Sequence, residues 1–221
     1  MAPKFQLPAT TTPLLLLIFL SPFLATSDTA IDTDGEPLRA SFRYHILPLR
    51  RGFGGGLALA SKNGSFSCPL YVGQERNELS LGLPAKFHPI NSKQEPISLS
   101  SDLNIDFRAF TVCIQSTAWR LTPDKLTGRL YVATGGVIGE PEAVSDWFKI
   151  EKVEVVGIDD VYKIVYCPSV HEVGYEVVCG DLGVFIEKNG RRLLGIHDRP
   201  LLVRFKKAEA EVRIGYLKSI N

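Results

Sequence analysis

Short runs in which apolar and polar residues alternate dominate the sequence, and they restrict the possible folds more than any other feature. The runs are rich in Val, Ile, Tyr and Phe, which pack well on a pleated surface. Turn residues such as Asn189-Gly190 separate them, and no stretch holds an amphipathic helical pattern over three turns. The sequence therefore predicts an all-β chain with strands at Tyr44–Leu47, Leu57–Ala60, Trp147–Ile150, Tyr162–Tyr166, Gly183–Ile186, Leu201–Phe205 and Glu211–Tyr216.

Regular short strands with turns between them are typical of a β-sandwich or a β-barrel, and periodicity does not choose between the two. No long Ser, Gly or Pro linker divides the region after residue 27, which predicts one domain over residues 28–221. Two polar, irregular segments, Glu75–Asn91 and Ser92–Asn104, predict an exposed loop that contributes little to the core.

The first 27 residues have the pattern of a secretory signal peptide. Lys4 supplies a positive charge, and an apolar run follows from Pro13 to Leu24. The run is short for a membrane span, and the small residues Ala25-Thr26-Ser27 predict cleavage near Ser27. We therefore expect a secreted protein, in the extracellular space or the vacuole, with no membrane anchor.

The charge balance gives no indication of a polyanionic partner. Lys and Arg together number 25 and Asp and Glu 24, so the formal net charge is +1. An excess of positive charge is what binding to nucleic acid or to an anionic membrane requires. We expect neither partner.

Four cysteines are present, and an even number in an oxidising compartment predicts two disulfides. Three pairings of Cys68, Cys113, Cys167 and Cys179 are possible, and the residues alone do not choose among them. There is no C-x-x-C pair and no His at ligand spacing, which argues against a metal site. The sequon Asn63-Gly64-Ser65 predicts glycosylation at Asn63 in an exposed loop.

The motifs that mark common enzyme sites are missing from the sequence. It contains no G-x-S-x-G nucleophile elbow, no Walker A loop and no H-E-x-x-H pair. The glycine-rich stretch Gly52–Gly56 lacks the spacing of a dinucleotide loop, and a connection between strands explains it better. We expect no enzymatic activity and no cofactor, and we place Trp119 and Trp147 in the core or at the end of a barrel.

Several segments, in fixed order and with fixed cysteine spacing, resemble the Kunitz soybean trypsin inhibitor (STI) family of plants, and most of all its miraculin-like branch. The segments are Asp32–Leu38, Tyr44–Pro48, Cys68–Val72, Arg76–Leu79, Ser101–Ile105, Thr117–Leu121, Trp147–Glu151, Tyr162–Pro168, Cys179–Asp181, Arg191–Leu194 and Pro200–Val203. The resemblance implies a β-trefoil, a short barrel with a hairpin cap and pseudo-three-fold symmetry. It also implies the pairs Cys68–Cys113 and Cys167–Cys179, which leave no cysteine for a disulfide-linked dimer, so we expect a monomer.

Inhibitors of that family present a convex loop between the first two cysteines, and the loop enters a protease cleft as a substrate would. The resemblance places this loop at about residues 87–99, with a serine endopeptidase as the expected partner. Pro89 and Pro96 fix φ on both sides, which suits a stiff loop. The candidate reactive-site residues are Pro89, Ile90, Asn91, Ser92, Lys93 and Gln94.

Two departures from the family pattern leave alternatives open. Alignment without gaps puts Asn91 at the specificity position, although a trypsin-type pocket, with its buried Asp, prefers Arg or Lys. Lys93 would fill the pocket if the register shifts by two residues. Ala40 stands where potent relatives carry an Asn that braces the loop from inside. A non-inhibitory storage or defence protein, or an inhibitor of another protease class, is therefore the alternative, whereas a sugar binder would rest on fold analogy alone.

Overall fold

The computed structural model describes residues 28–63, 67–170 and 177–209, which contain twelve β-strands and one 3₁₀ turn at Val144–Asp146. The predicted signal peptide and the strand predicted at Glu211–Tyr216 lie outside these residues. The strands are β1 Tyr44–Pro48, β2 Leu57–Ala60, β3 Tyr71–Gln74, β4 Pro84–Pro89, β5 Leu103–Phe107, β6 Trp119–Pro123, β7 Leu130–Thr134, β8 Lys149–Lys152, β9 Tyr162–Tyr166, β10 Gly180–Ile186, β11 Arg192–Ile196 and β12 Val203–Lys207.

Six strands close into a barrel by antiparallel pairing. Strand β1 lies between β12 and β4, β4 pairs with β5, and β9 lies between β8 and β12. The ring closes between β5 and the start of β8, where Leu103 and Phe148 exchange two backbone hydrogen bonds of 2.9 Å each. A closed ring gives every barrel strand two neighbours.

Three hairpins, β2–β3, β6–β7 and β10–β11, form a cap on the barrel. One strand of each hairpin meets the other two hairpins, through the pairs Tyr71–Ala133, Tyr131–Gly195 and Gly73–Leu193. This triangular arrangement has the pseudo-three-fold symmetry of a β-trefoil. The all-β prediction is confirmed, and the choice between sandwich and barrel is settled in favour of the barrel.

Fully buried aromatic side chains fill the barrel. The Phe205 ring lies 5.4 Å from the rings of both Phe87 and Tyr162. On the other side, the Trp119 ring lies 5.4 Å from Phe107 and 5.9 Å from Phe148. Edge-to-face and tilted contacts of this kind add to the large apolar area that each ring buries. Trp119 and Trp147 are both buried, as predicted.

The disulfides join Cys68 to Cys113 and Cys167 to Cys179, the pairing that the family resemblance implies. They enclose sequence separations of 45 and 12 residues. The larger ring contains strands β3, β4 and β5, and with them the connection between β4 and β5.

The prediction of a long loop with little core over residues 75–104 is wrong for much of that segment. Strand β4 lies within it and alternates between half-buried and buried positions, with Ala85 and Phe87 fully buried. Ile97 and Leu103 are buried as well. The outward side chains of β4 include Lys86 and His88, so the strand does follow the two-residue period, and the prolines at its two ends obscured it.

The glycine-rich stretch connects β1 to β2, as predicted, and packs closely against the loop that follows β3. A Cβ atom on Gly55 would collide with the carbonyl oxygen of Asn77, and one on Gly56 with that of Leu81. Glycine is needed here because two backbone segments touch directly. Within the described ranges, no helix is long and apolar enough to cross a membrane.

Candidate functional site

The exposed segment between β4 and β5 spans residues 90–96, and we refer to it as the 90–96 loop. Strand pairing holds its first end, since Pro89 pairs with Leu103 and the Ile90 N–H donates to the Asp102 carbonyl at 2.9 Å. Pro89 is buried, whereas the next side chain, Ile90, is 45% exposed. The change from sheet to loop therefore takes place at a single peptide unit.

The tip of the 90–96 loop is a tight turn stabilised by Asn91. The Asn91 carbonyl accepts a hydrogen bond from the Gln94 N–H at 2.8 Å, and its side-chain Oδ1 accepts one from the Lys93 N–H at 3.3 Å. Asn and Asp favour turns because their side chains can bond the backbone two residues further on. Ser92 and Lys93 occupy the centre of the turn, and both are exposed.

The second end of the loop is held by the segment that precedes β1. Ile97 is fully buried, and its N–H donates to the Leu38 carbonyl at 2.7 Å. The Ile97 carbonyl accepts from the Ala30 N–H at 3.1 Å, and the Leu38 N–H in turn donates to the Ala30 carbonyl at 2.8 Å. Both ends of the 90–96 loop are therefore fixed by backbone hydrogen bonds to the body of the fold.

Side chains within the loop add a second set of contacts. The Glu95 carboxylate accepts a hydrogen bond from the Ser41 N–H at 3.0 Å and lies 3.9 Å from an Arg39 guanidinium nitrogen. The Gln94 amide Nε2 donates to the Ser98 hydroxyl. Ala40 lies between the two residues that contact Glu95, and its methyl group packs partly against the core. Glu95 and Gln94 therefore each connect the loop to a neighbouring segment of the chain.

The predicted loop boundaries, residues 87–99, are too wide. Phe87 lies in the aromatic core, and Pro89 is a buried strand residue. Four of the predicted site residues, Ile90 to Lys93, form the exposed tip, and Gln94 is half-buried. Glu95 was missed because its partner Ser41 is 54 residues away in the sequence.

The other predicted sites are placed as follows. Asn63 is exposed just after β2, and the rest of its sequon lies outside the described residues. In the part of the chain that the structure describes, no group of three His, Cys, Asp or Glu side chains is arranged to hold a metal ion.

A closed trefoil barrel, two disulfides and an exposed loop inside the first disulfide ring together define the Kunitz class of β-trefoil proteins. The chain belongs to the Kunitz_legume family, described as trypsin and protease inhibitor, whose family model matches residues 30–207.

Comparison with individual proteins agrees with this assignment. The chain is 42% identical over 204 residues to miraculin of Synsepalum dulcificum, covering 87% of this chain and 91% of miraculin. It is 38% identical over 202 residues to Kunitz trypsin inhibitor 5 of Arabidopsis thaliana, covering 88% and 95%. Soybean trypsin inhibitor, in its complex with porcine pancreatic trypsin, superposes with a TM-score of 0.66 at 30% identity, covering 82% of this chain and all of the inhibitor.

Proposed function

We propose that this protein inhibits a serine endopeptidase, which it binds through the 90–96 loop, and that it is not itself an enzyme. The observation that carries the proposal is the contrast between an exposed tip and two ends hydrogen bonded to the barrel. A loop that is already ordered loses little conformational entropy when it enters a protease cleft. The named activities of the Arabidopsis and soybean relatives support the same function.

Lys93 is the proposed specificity residue. Its side chain projects from the centre of the turn, and a trypsin-type pocket offers a buried Asp to such a cation. The gapless alignment favours Asn91 instead, but the Asn91 side chain is occupied in holding the turn at the Lys93 N–H. We therefore place the bond presented to the protease between Lys93 and Gln94, with Asn91–Ser92 as the alternative.

A cut in the loop would leave its two ends close together, which favours inhibition over turnover. The Cys68–Cys113 disulfide encloses the loop, and the pairing of Pro89 with Leu103 and the hydrogen bonds of Ile97 hold the two sides separately. A new amine held near the acyl-enzyme can attack it at a high effective concentration. The bond is then resealed faster than water hydrolyses the intermediate.

The test is a titration of residues 28–221, with disulfides formed, against trypsin, followed by mass spectrometry of the reduced protein. We expect stoichiometric inhibition and a small fraction of chains cut after Lys93. Rapid cutting of the loop without inhibition would contradict the proposal. If the complex is inhibited and the cut lies after Asn91, the proposed function stands and Asn91 replaces Lys93 as the specificity residue.

A second candidate is a non-inhibitory, miraculin-like storage or defence protein, favoured by Ala40 and by the 42% identity to miraculin. Parallel titrations against subtilisin and papain separate it from inhibition of another protease. Failure with all three enzymes, with the loop intact, supports the second candidate.

We also propose that the protein enters the secretory pathway through residues 1–27, acts as a monomer, and carries a glycan at Asn63. Exposure of Asn63 and the two disulfides support this proposal. Mass measurement of the protein from plant tissue, before and after treatment with a glycosidase, tests the cleavage site and the glycan together.

A further inference from the structure

A groove of about 800 Å³ lies beside the hairpin β10–β11, and none of its residues belongs to the 90–96 loop. The connection between β1 and β2 forms one side and the segment before β12 forms another. Its volume is within the range of sites that bind small molecules. Phe53, Phe185 and Ile186 supply apolar walls.

The polar lining of this groove is positively charged. Arg50, Arg129, Arg192 and Arg199 line it, and none of the lining residues is acidic. Arg129 lies 3.4 Å from the Glu187 carboxylate. Among the described residues, the other three arginines have no carboxylate within ion-pair distance. The groove thus concentrates positive charge on apolar walls.

Arg192 is the most firmly held of these cations, although none of its hydrogen-bond partners is charged. Its Nε and Nη2 donate to the Gln74 side-chain oxygen at 3.0 and 2.8 Å, and Nη2 also donates to the Phe53 carbonyl at 2.6 Å. These partners are neutral, and burial lowers the pKa of the guanidinium. An anion beside Arg192 would compensate the charge through a strong charge-assisted hydrogen bond.

Gln74, the partner of Arg192, adds a buried polar side chain to the lining of the groove. Its side chain is only 5% exposed and lines the groove. Because Arg192 donates two hydrogen bonds to the amide oxygen, the orientation of the amide is fixed, and Nε2 faces elsewhere. Nε2 is buried and has no partner among the described residues. A buried donor without an acceptor is unfavourable, so the groove lining contains a polar group that the described residues leave unsatisfied.

Phe185 and His197 form an aromatic part of the groove wall. The Phe185 ring lies 4.6 Å from the His197 ring and 4.5 Å from the Arg129 guanidinium. His197 Nδ1 accepts a hydrogen bond from the Arg199 N–H at 2.9 Å, so in the neutral ring Nε2 carries the proton and is available as a donor.

We propose that this groove binds a small aromatic carboxylate. The carboxylate lies among Arg50, Arg192 and Arg199, and the ring lies against the apolar wall that includes Phe53 and Ile186. Apolar walls with a few convergent cations are the usual composition of a site for an amphipathic anion. This binding function is separate from protease inhibition, because the two sites share no residue.

Calorimetric titration of residues 28–221 with 2-naphthoate tests the proposal, with naphthalene-2-carboxamide and acetate as matched probes. We expect saturable binding of one 2-naphthoate per chain. The carboxamide keeps the ring and loses the charge, so it should bind at least about tenfold more weakly. Acetate keeps the charge and loses the ring, and it should not saturate. Equal binding of 2-naphthoate and the carboxamide, or no binding of 2-naphthoate, overturns the proposal.

Two variants locate the site without disturbing the fold. Arg50 and Arg199 are exposed at the groove. A double variant that carries both Arg50→Gln and Arg199→Gln should bind 2-naphthoate at least about tenfold more weakly. Arg51→Gln is the matched control, because Arg51 is exposed next to Arg50 and does not line the groove. The same affinity in the double variant and the control would overturn the assignment. Trypsin titration of the parent protein, the double variant and the Arg51→Gln control should give the same inhibition. The groove test is then independent of the 90–96 loop.

Discussion

The Glu95 carboxylate accepts a hydrogen bond from the backbone N–H of Ser41 at 3.0 Å, across 54 residues of sequence. This contact ties the exposed loop to the segment that leads into β1, beside the backbone hydrogen bonds of Ile97. It is a side-chain contact, so a substitution at residue 95 removes it and leaves the backbone pairing in place.

Glu95→Ala should weaken protease inhibition about fivefold and speed cutting of the loop. The substitution removes one charge-assisted hydrogen bond at the surface, which we take as about 1 kcal/mol. The inhibition constant and the rate of loop cleavage by trypsin measure the effect. Glu142→Ala is the control, because Glu142 is an exposed carboxylate outside the loop. Identical constants for the two variants would contradict a role for Glu95 in holding the loop.

Lys93→Ala should abolish trypsin inhibition, and Lys93→Arg should preserve it. Arginine keeps the cation that pairs with the Asp of a trypsin-type pocket, whereas alanine leaves that Asp unpaired. The stoichiometric titration used for the parent protein provides the measurement. Asn91→Ala serves as the comparison. It loosens the turn, so inhibition should fall without disappearing. If Lys93→Ala inhibits as well as the parent protein, the specificity residue lies elsewhere.

Removing the two disulfides should destabilise the protein unequally. The 45-residue separation of Cys68–Cys113 predicts a loss of about 4 kcal/mol in the free energy of unfolding, and the 12-residue separation of Cys167–Cys179 predicts about 3 kcal/mol. Paired Cys→Ala variants and urea unfolding give both values. Only the first pair encloses the 90–96 loop, so its loss should also weaken inhibition more. The reverse order of the two effects would argue against the chain-entropy explanation.

Phe87→Ala should lower the free energy of unfolding by about 3–5 kcal/mol, the range for deleting a buried aromatic side chain. Phe87 is fully buried and contacts Tyr44 and Phe205 at ring distances of 6.1 and 5.4 Å. The control is Phe110→Ala, because Phe110 is fully exposed and its loss should change stability by less than about 0.5 kcal/mol. Urea unfolding of both variants decides whether β4 belongs to the core.

His45 should make stability depend on pH. Burial lowers the pKa of its imidazole below the ordinary value of about 6.5, with the nearby Lys206 acting in the same direction. Between the two pKa values the unfolded chain binds more protons than the folded one, so stability rises with pH. The contribution is complete above about pH 6.5 and is lost as pH falls through the lower, folded value. Urea unfolding from pH 7.5 to 5 should show a shallower slope for His45→Gln, and an unchanged slope would refute the assignment.

Strands with clear side-chain alternation could be predicted from the sequence, and the cysteine spacing contributed to the family resemblance. Strands β2 and β9 were predicted with their observed limits, and β1 with one residue fewer at its end. Strand β4 was missed because Pro stands at both of its ends, although Lys86 and His88 alternate with buried residues as in other strands. Proline at a strand end costs no ladder hydrogen bond, so the pattern appeared more irregular than the backbone is.

The limits of the sequence are clearest at the candidate site. The turn at Asn91 is formed by residues that are close in sequence, and an Asn at this position favours a turn, so the sequence indicates it directly. The contacts of Glu95 with Ser41 and of Ile97 with Leu38 join distant segments, and no local pattern encodes them. Arg192 and Gln74 likewise meet across 118 residues. Such pairs follow from the assembly of the barrel and its cap, which the residues alone did not establish.

Barrel closure also has a consequence for the order in which the protein is made. Strand β1 is paired with β12 over five residues, from Tyr44–Lys207 to Pro48–Val203. Among the described strands, β1 is synthesised first and β12 last, so β1 gains this neighbour only at the end of synthesis, and such long-range pairing is slow to form. We expect a chain that stops before Val203 to keep an unpaired β1 edge and to aggregate, however complete its loop and its disulfides.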